Sequence, residues 1–218
     1  MKTDSVPMAT SGGVVTELVE VINANRDYLS EIDGAIGDGD HGVNMSKGFS
    51  QCGHALAGKP QPLNLADAFN QLSMTLMEGI GGSMGPLYGS FFLGLAESLE
   101  HKDVLDAAGL AHALTVAVDA VKDIGDASVG DKTLMDTLVP ARDALNAAVA
   151  QGAGFADALD RMVAAAEQGK ESTRALQARI GRAARLGERS IGVLDAGATS
   201  CFLILQAIAR SLQRRLGA

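Results

Sequence analysis

The chain has no tryptophan, two tyrosines and six phenylalanines, so aromatic residues make up only 4% of its 218 positions. The shortage does not starve a core. Hydrophobic residues reach 47% and charged residues 20%, which suits a packed domain and leaves no case for global disorder. Two cysteines in a chain of this length cannot form a disulfide framework and point to a reducing compartment. No apolar run reaches the roughly 18 residues needed to span a bilayer. Met1 to Gly13 includes Asp4 and lacks an apolar h-region, so no secretory signal is expected, and the expected location is cytoplasmic, away from membranes. Basic residues are also few. Against 26 Asp+Glu stand 18 Lys+Arg, a formal charge of -8, and such a surface excludes general nucleic-acid binding.

What is present is unevenly placed. Residues 1–100 carry 4 Lys+Arg and 12 Asp+Glu, a net of 4 − 12 = -8, whereas residues 101–218 carry 14 of each. Of 26 glycines, 18 fall in four clusters, at 34–53, 79–94, 125–130 and 181–197. Clustered glycine marks places where the backbone must approach something closely or turn with positive φ. Apolar periodicity is helical almost throughout. Val15, Leu18, Val19, Ile22 and Leu29 share one face of a first helix. Further helices fit 64–76, capped by Asn64, then 87–99, 105–123, 133–150, 155–168, 172–185 and 198–215. Pro140 is expected to kink the helix over 133–150 or to delay its start. No stretch alternates long enough for a strand. The fold class is therefore all-α, a single domain over 12–218 of about eight helices, preceded by a flexible N-terminus at 1–11. Segments 33–42 and 186–197 read as long, Gly-rich, charged connections.

The sharpest feature is Asp33-Gly-Ala-Ile-Gly-Asp38-Gly-Asp40-His41-Gly-Val-Asn44. Three carboxylates separated by glycines repel one another unless a cation joins them. Hard oxygen ligands with open positions suit Mg²⁺, which takes one or two carboxylates plus substrate phosphates. The spacing is not that of an EF-hand, because Phe49 falls where the final acidic ligand belongs. The alternative is a solvated turn in which Asp38 or Asp40 caps a helix. His41, at the expected helix start, could reach a phosphate; His54, His101 and His112 have no such company.

A second feature is Glu78-Gly-Ile-Gly81-Gly82-Ser83-Met-Gly85-Pro86, running into an apolar helix. A Gly-rich turn at a helix N-terminus presents free N–H groups and the positive end of the dipole to an anion, or else simply lets two helices pack closely. Gly130-Asp131-Lys132-Thr133 reads as a helix start capped by Asp131 or Thr133. Arg174, Arg179, Arg182, Arg185 and Arg189 offer phosphate recognition, although most of them suit a solvated helix face. Asp195 to Ser200 caps the final helix. Together these are the parts of an α-helical Mg-nucleotide site, and phosphoryl transfer needs little beyond positioning and charge neutralisation.

Gly37-Asp38-Gly39-Asp40-His41-Gly42 with Asn44, Gly81 to Gly89, Gly130 to Thr133, Gly181-Arg182-Ala183, and Gly187 to Ser190 continuing to Asp195–Ser200 occur in one order. With them the chain resembles the nucleotide-binding L subunit of bacterial dihydroxyacetone kinase, from about residue 12 to 213. The resemblance implies an antiparallel eight-helix barrel holding ADP or ATP and two Mg²⁺ at one end. It implies Asp33, Asp38 and Asp40 as metal ligands. His41, Asn44, Gly82 and Ser83 would hold phosphates. Arg182 would join them and take up transition-state charge. Gly125, Leu134, Asp195, Ala196 and Gly197 would line the rest. In the family a separate K subunit holds the ketose covalently through a histidine. A phosphotransferase-system M subunit recharges bound ADP in one mode, and ATP exchanges as a substrate in the other. Some members act on tetroses, and some bind a transcription regulator. Two departures from the family pattern are Ala196 in place of proline and Val193-Leu194 before Asp195. Two other classes fit the same parts: a non-catalytic Mg-nucleotide-sensing module and a Mg-dependent phosphate-ester hydrolase.

Overall fold

The computed structural model describes residues 4–216. Its α-helices are α1 (Gly13–Ala24), α2 (Arg26–Ile36), α3 (His41–Ala57), α4 (Leu65–Gly79), α5 (Met84–Leu99), α6 (Ala107–Ile124), α7 (Met135–Ala150), α8 (Phe155–Ser172) and α9 (Ala196–Arg215). No helix among the described residues is long and apolar enough to cross a membrane. The all-α reading holds, with two local differences. The helix expected from Val15 to Leu29 is two helices. At Asn25 the backbone leaves helical geometry, and the side-chain amide donates to the Val21 carbonyl at 2.8 Å, competing with the ladder. The stretch expected as a helix at 172–185 is mostly 3-10 and irregular, with short turns at Thr173–Ala175 and Ala183–Ser190 and positive φ at Gly181 and Gly187.

Strands do occur, though only as three-residue pieces. β1 (Ser5–Pro7) pairs antiparallel with β2 (Val104–Asp106). Three residues are too few to show alternation, so the pairing rests on tertiary contact. It also corrects the expectation of a flexible stretch over 1–11, of which residues 1–3 lie outside those described. Val6 and Met8 are fully buried, the Met8 N–H donates to the Asp103 carbonyl at 2.9 Å, and Asp4 Oδ1 accepts from the Phe155 N–H at 2.8 Å. Gly154 has no side chain to cap α8, so Asp4 supplies that cap from the other end of the sequence.

Helix packing runs in chain order from α3 to α9, with α1 against α3 at one end of the series and against α9 at the other. α2 continues α1 across Asn25 and packs on α3. The few aromatics are concentrated. Phe49, Phe69 and Phe91 each contact Phe92, with ring centroids 6.1, 5.9 and 5.0 Å away. Pro140 lies inside α7 and cannot donate to the carbonyl of Asp136. That carbonyl faces Gly169 of α8, where an added Cβ would collide with it. The proline and the glycine thus work as a pair at the α7–α8 contact.

Candidate functional site

The last turn of α2 presents Asp33, and Gly37 closes the helix by donating its N–H to the Asp33 carbonyl at 2.5 Å. Only four residues, Gly37 to Asp40, then separate α2 from α3, a shorter connection than the one expected over 33–42. One carboxylate oxygen each from Asp33, Asp38 and Asp40 lie within 4.8 Å of one another. Asp40 occupies the N-cap position of α3 but makes no capping bond. Asp33 Oδ2 instead accepts from the His41 N–H at 3.2 Å. The capping alternative weighed for Asp40 is therefore not realised. Gly42 makes the cluster possible. A Cβ there would collide with the Arg26 carbonyl and stand 2.7 Å from Ser30 Oγ, so only glycine lets the first turn of α3 sit on α2. The donor set is all hard oxygen. Opposite ligands of one Mg²⁺ stand about 4.2 Å apart, twice the usual Mg–O distance, so a set within 4.8 Å fits that cation with small side-chain movement.

The cluster opens into a pocket of about 670 Å³. All thirteen residues singled out from sequence line it: Asp33, Asp38, Asp40, His41, Asn44, Gly82, Ser83, Gly125, Leu134, Arg182, Asp195, Ala196 and Gly197. Ser83 precedes α5 without a capping bond, and Gly82 turns with φ +70 into open space. Of the five arginines at 174–189 only Arg182 lines the pocket, where its guanidinium pairs with the Asp38 carboxylate. Arg179 pairs with Asp131 at 3.6 Å, and Arg174 donates to the Gly192 carbonyl at 3.3 Å. Leu87, Val121, Ile124 and Ile180 give the pocket an apolar wall, with Ile124 and Ile180 well exposed.

Several groups around the pocket were not singled out from sequence. Lys132 is buried at positive φ and donates from Nζ to the carbonyls of Thr173, Leu176 and Val193 at 2.7, 3.2 and 2.6 Å. All three ammonium protons are thereby used, and the irregular stretch after α8 is drawn down onto the start of α7. Burial lowers the Lys132 pKa, while Asp195 opposes that shift. Asp136, rather than Asp131 or Thr133 alone, organises the turn. It accepts from the Gly130 N–H at 2.6 Å and the Thr133 N–H at 2.7 Å. Asp195 caps α9 as expected, accepting from the Ala198 N–H at 2.7 Å. Burial pushes its carboxyl up to about 7. The Ala198 N–H opposes this, Asp136 and Asp33 add to it, and Lys132 pulls the other way.

His41 is held by a buried chain of hydroxyls. Its Nε2 lies 2.8 Å from Ser200 Oγ, which lies 2.6 Å from the Tyr88 hydroxyl. Burial lowers the His41 pKa to about 4 against the pull of Asp33, so the ring is neutral at physiological pH. The sequence signal for Lys132 and Ser200 was membership of the Gly-Asp-Lys-Thr and Asp195–Ser200 motifs. Their roles depend on partners 41 to 159 positions away, which no local pattern reveals.

Comparison with known proteins places the chain among relatives of one family. A family model described as the DAK2 domain matches residues 35–210. The chain is 38% identical over 189 residues to the PEP-dependent dihydroxyacetone kinase 1, ADP-binding subunit DhaL, of Listeria innocua, covering 87% of this chain and 89% of that protein. It is 35% identical over 195 residues to the PEP-dependent dihydroxyacetone kinase, ADP-binding subunit DhaL, of Escherichia coli, covering 89% of this chain and 92% of that one. Among solved structures, the dihydroxyacetone kinase of C. freundii in complex with AMP-PNP and Mg²⁺ superposes with a TM-score of 0.68 at 27% identity over 94% of this chain. This chain spans about a third, 34%, of that longer kinase.

Proposed function

The chain belongs to the DAK2 domain family, and from that premise we propose that it is the nucleotide-bearing subunit of a dihydroxyacetone kinase. The observation that carries the reading is the convergence of the acidic triad, the open Ser83 turn and Arg182 on one pocket. Asp33, Asp38 and Asp40 would hold Mg²⁺, two ions in this reading, and the metal would offset the repulsion between this loop and the phosphates of ADP or ATP. When bound, the metal neutralises charge on the phosphates and on the phosphoryl group in transit. The chain's own residues position the nucleotide. Asn44, Gly82, Ser83 and the start of α3 at His41 face the phosphates. Arg182, paired with Asp38 in this structure, would be free to donate to a phosphate oxygen once Asp38 served as a metal ligand. Gly125, Leu134 and Asp195–Gly197 enclose the remainder, with Ile124 and Ile180 as an apolar wall for the base.

The relatives are ADP-binding subunits of dihydroxyacetone kinases by name, so in this reading the ketose is held by a second subunit and the phosphoryl group passes between chains. Two close relatives are PEP-dependent by name, which favours bound ADP recharged by a phosphotransferase-system protein over freely exchanging ATP. The test is turnover with dihydroxyacetone and ATP by the isolated chain, together with nucleotide analysis of the purified protein. Retained ADP after extensive dialysis and no turnover without a ketose-binding partner are expected. Ketose phosphorylation or phosphate-ester hydrolysis by the chain alone would overturn the subunit reading.

A further inference from the structure

The hydroxyl chain behind His41 has a property that distances alone reveal. Ser200 Oγ lies 2.8 Å from His41 Nε2, 2.6 Å from Tyr88 Oη, 3.0 Å from the Ala196 carbonyl and 3.2 Å from the Gly197 carbonyl. Tyr88 Oη lies 3.1 Å from the same Gly197 carbonyl. Ser200 is fully buried, and Tyr88 and His41 are nearly so. Among the described residues His41 Nδ1 has no hydrogen-bond partner and is not sealed from solvent, and His41 lines the pocket, so Nδ1 is the ring nitrogen open to it.

An uncharged imidazole donates from one nitrogen and accepts at the other. Proton arrangements of two kinds satisfy the short contacts, set by which way the His41–Ser200 bond runs. In one, Nε2–H donates to Ser200, and either Ser200 donates to Tyr88 and Tyr88 to the Gly197 carbonyl, or Tyr88 donates to Ser200 and Ser200 to the Ala196 carbonyl; both leave Nδ1 as a bare acceptor toward the pocket. In the other, Tyr88 donates to Ser200 and Ser200 to Nε2, which leaves Nδ1–H as a donor toward the pocket. Both keep the 2.6 and 2.8 Å bonds. Inside the protein the two kinds differ by one O–H···O bond to a backbone carbonyl, of 3.0 or 3.1 Å, at or just beyond the long end of the usual 2.5 to 3.0 Å. An anion at Nδ1 offers a charge-assisted bond to the second arrangement and repulsion to the first, and so outweighs that contact.

We propose that Ser200 and Tyr88 are positioning residues forming a reversible hydroxyl relay that sets the tautomer of His41: Nε2–H when the pocket holds no anion, Nδ1–H when a phosphate oxygen faces the ring. The relay lets a neutral histidine donate to phosphate without taking up a proton. It deepens the nucleotide-site reading and rests on it for the identity of the anion. It also gives Ser200, a residue that does not line the pocket, a role in ligand binding.

The experiment is nitrogen NMR of the full-length protein with ¹⁵N-labelled histidine, in which the two tautomers give different ring-nitrogen shifts. His41→Asn identifies the His41 signals. Spectra are recorded free and saturated with Mg²⁺-ADP, with binding followed in parallel by calorimetry. The expected result is protonated Nε2 in the free protein and protonated Nδ1 in the complex. In Ser200→Ala the Nε2 site loses its donor. Mg²⁺-ADP then binds about tenfold more weakly, as for loss of a hydrogen bond to a charged group. The same tautomer before and after saturation, or unchanged affinity in a folded Ser200→Ala, would overturn the relay while leaving the nucleotide site intact. No Mg²⁺-ADP binding at all would overturn both.

Discussion

Asp38 has two claimants for its carboxylate. In this structure it pairs with Arg182 across an exposed contact, and in the proposed complex it ligates metal. An exposed pair contributes roughly 0–1 kcal/mol, so the fold does not depend on it. Asp38→Ala should therefore melt close to the wild type without ligand, yet lose Mg²⁺-ADP affinity by more than about a hundredfold, beyond what even outer partners of a metal site cost. Thermal melts with and without Mg²⁺-ADP separate the two effects, and an undiminished ligand shift would remove Asp38 from the metal site. Asp195 carries a different prediction, on pH. Its folded pKa, about 7, lies above the roughly 3.9 of an unfolded aspartate. Between those values the folded state binds more protons. The group's contribution is thus fully present below about pH 4 and lost as pH rises toward 7. Asp195→Asn keeps an oxygen to cap α9 and removes the titration. Ligand-free melts from pH 4 to pH 8 should show the variant gaining on the wild type as pH rises, and parallel curves would contradict the assignment.

At the scale of elements, the α2–α3 corner decides whether the acids meet. Glycine at position 42 lets α3 start against the Arg26 carbonyl, and α2 ends four residues before α3 begins. Gly42→Ala should force the two helices apart, costing about 1–3 kcal/mol as overpacking does, and should weaken metal binding although no ligand is altered. Chemical denaturation and a Mn²⁺ titration would measure the two losses, which should appear together. This corner also marks what the sequence could disclose. The triad, the glycine turn and the Asp195 cap were legible because each is a local pattern with a chemical reason, whereas Arg182 stood out from its four arginine neighbours only through the family resemblance. Most helices were legible from their 3.6-residue period, but of α3 only the start at His41 was expected. The break at Asn25, the strand pair at Ser5–Pro7 and the unwound stretch after α8 were not. The last two are imposed from afar, by Asp103 and Phe155 and by the Lys132 ammonium, whereas at Asn25 the side chain itself competes for the Val21 carbonyl. A helical composition at 172–185 cannot outweigh three carbonyls drawn to one buried charge.

At the scale of the whole molecule, the net -8 and the pocket have to be considered together. The excess acidity lies wholly in residues 1–100, and three of those acids converge where phosphates are proposed to bind. ADP alone would meet that charge unscreened, so its binding should depend almost entirely on the metal. The pocket is also assembled from segments spread from Asp33 to Gly197, joining α2 and α3 to α5, α7 and α9. A ligand seated there is held only by the assembled fold and has no counterpart in the unfolded chain. Mass action then gives about 2.7 kcal/mol of stabilisation at a ligand concentration of 100 Kd. For a chain of this size, that corresponds to a rise in melting temperature of roughly 5–10 °C. The rise should be seen with Mg²⁺-ADP and fall to a small residue when EDTA removes the metal, whereas Mg²⁺ without nucleotide should give much less, because Arg182 already compensates Asp38. A full ADP shift that survived EDTA would place the phosphates away from the acidic loop and leave the charge of that loop without a function.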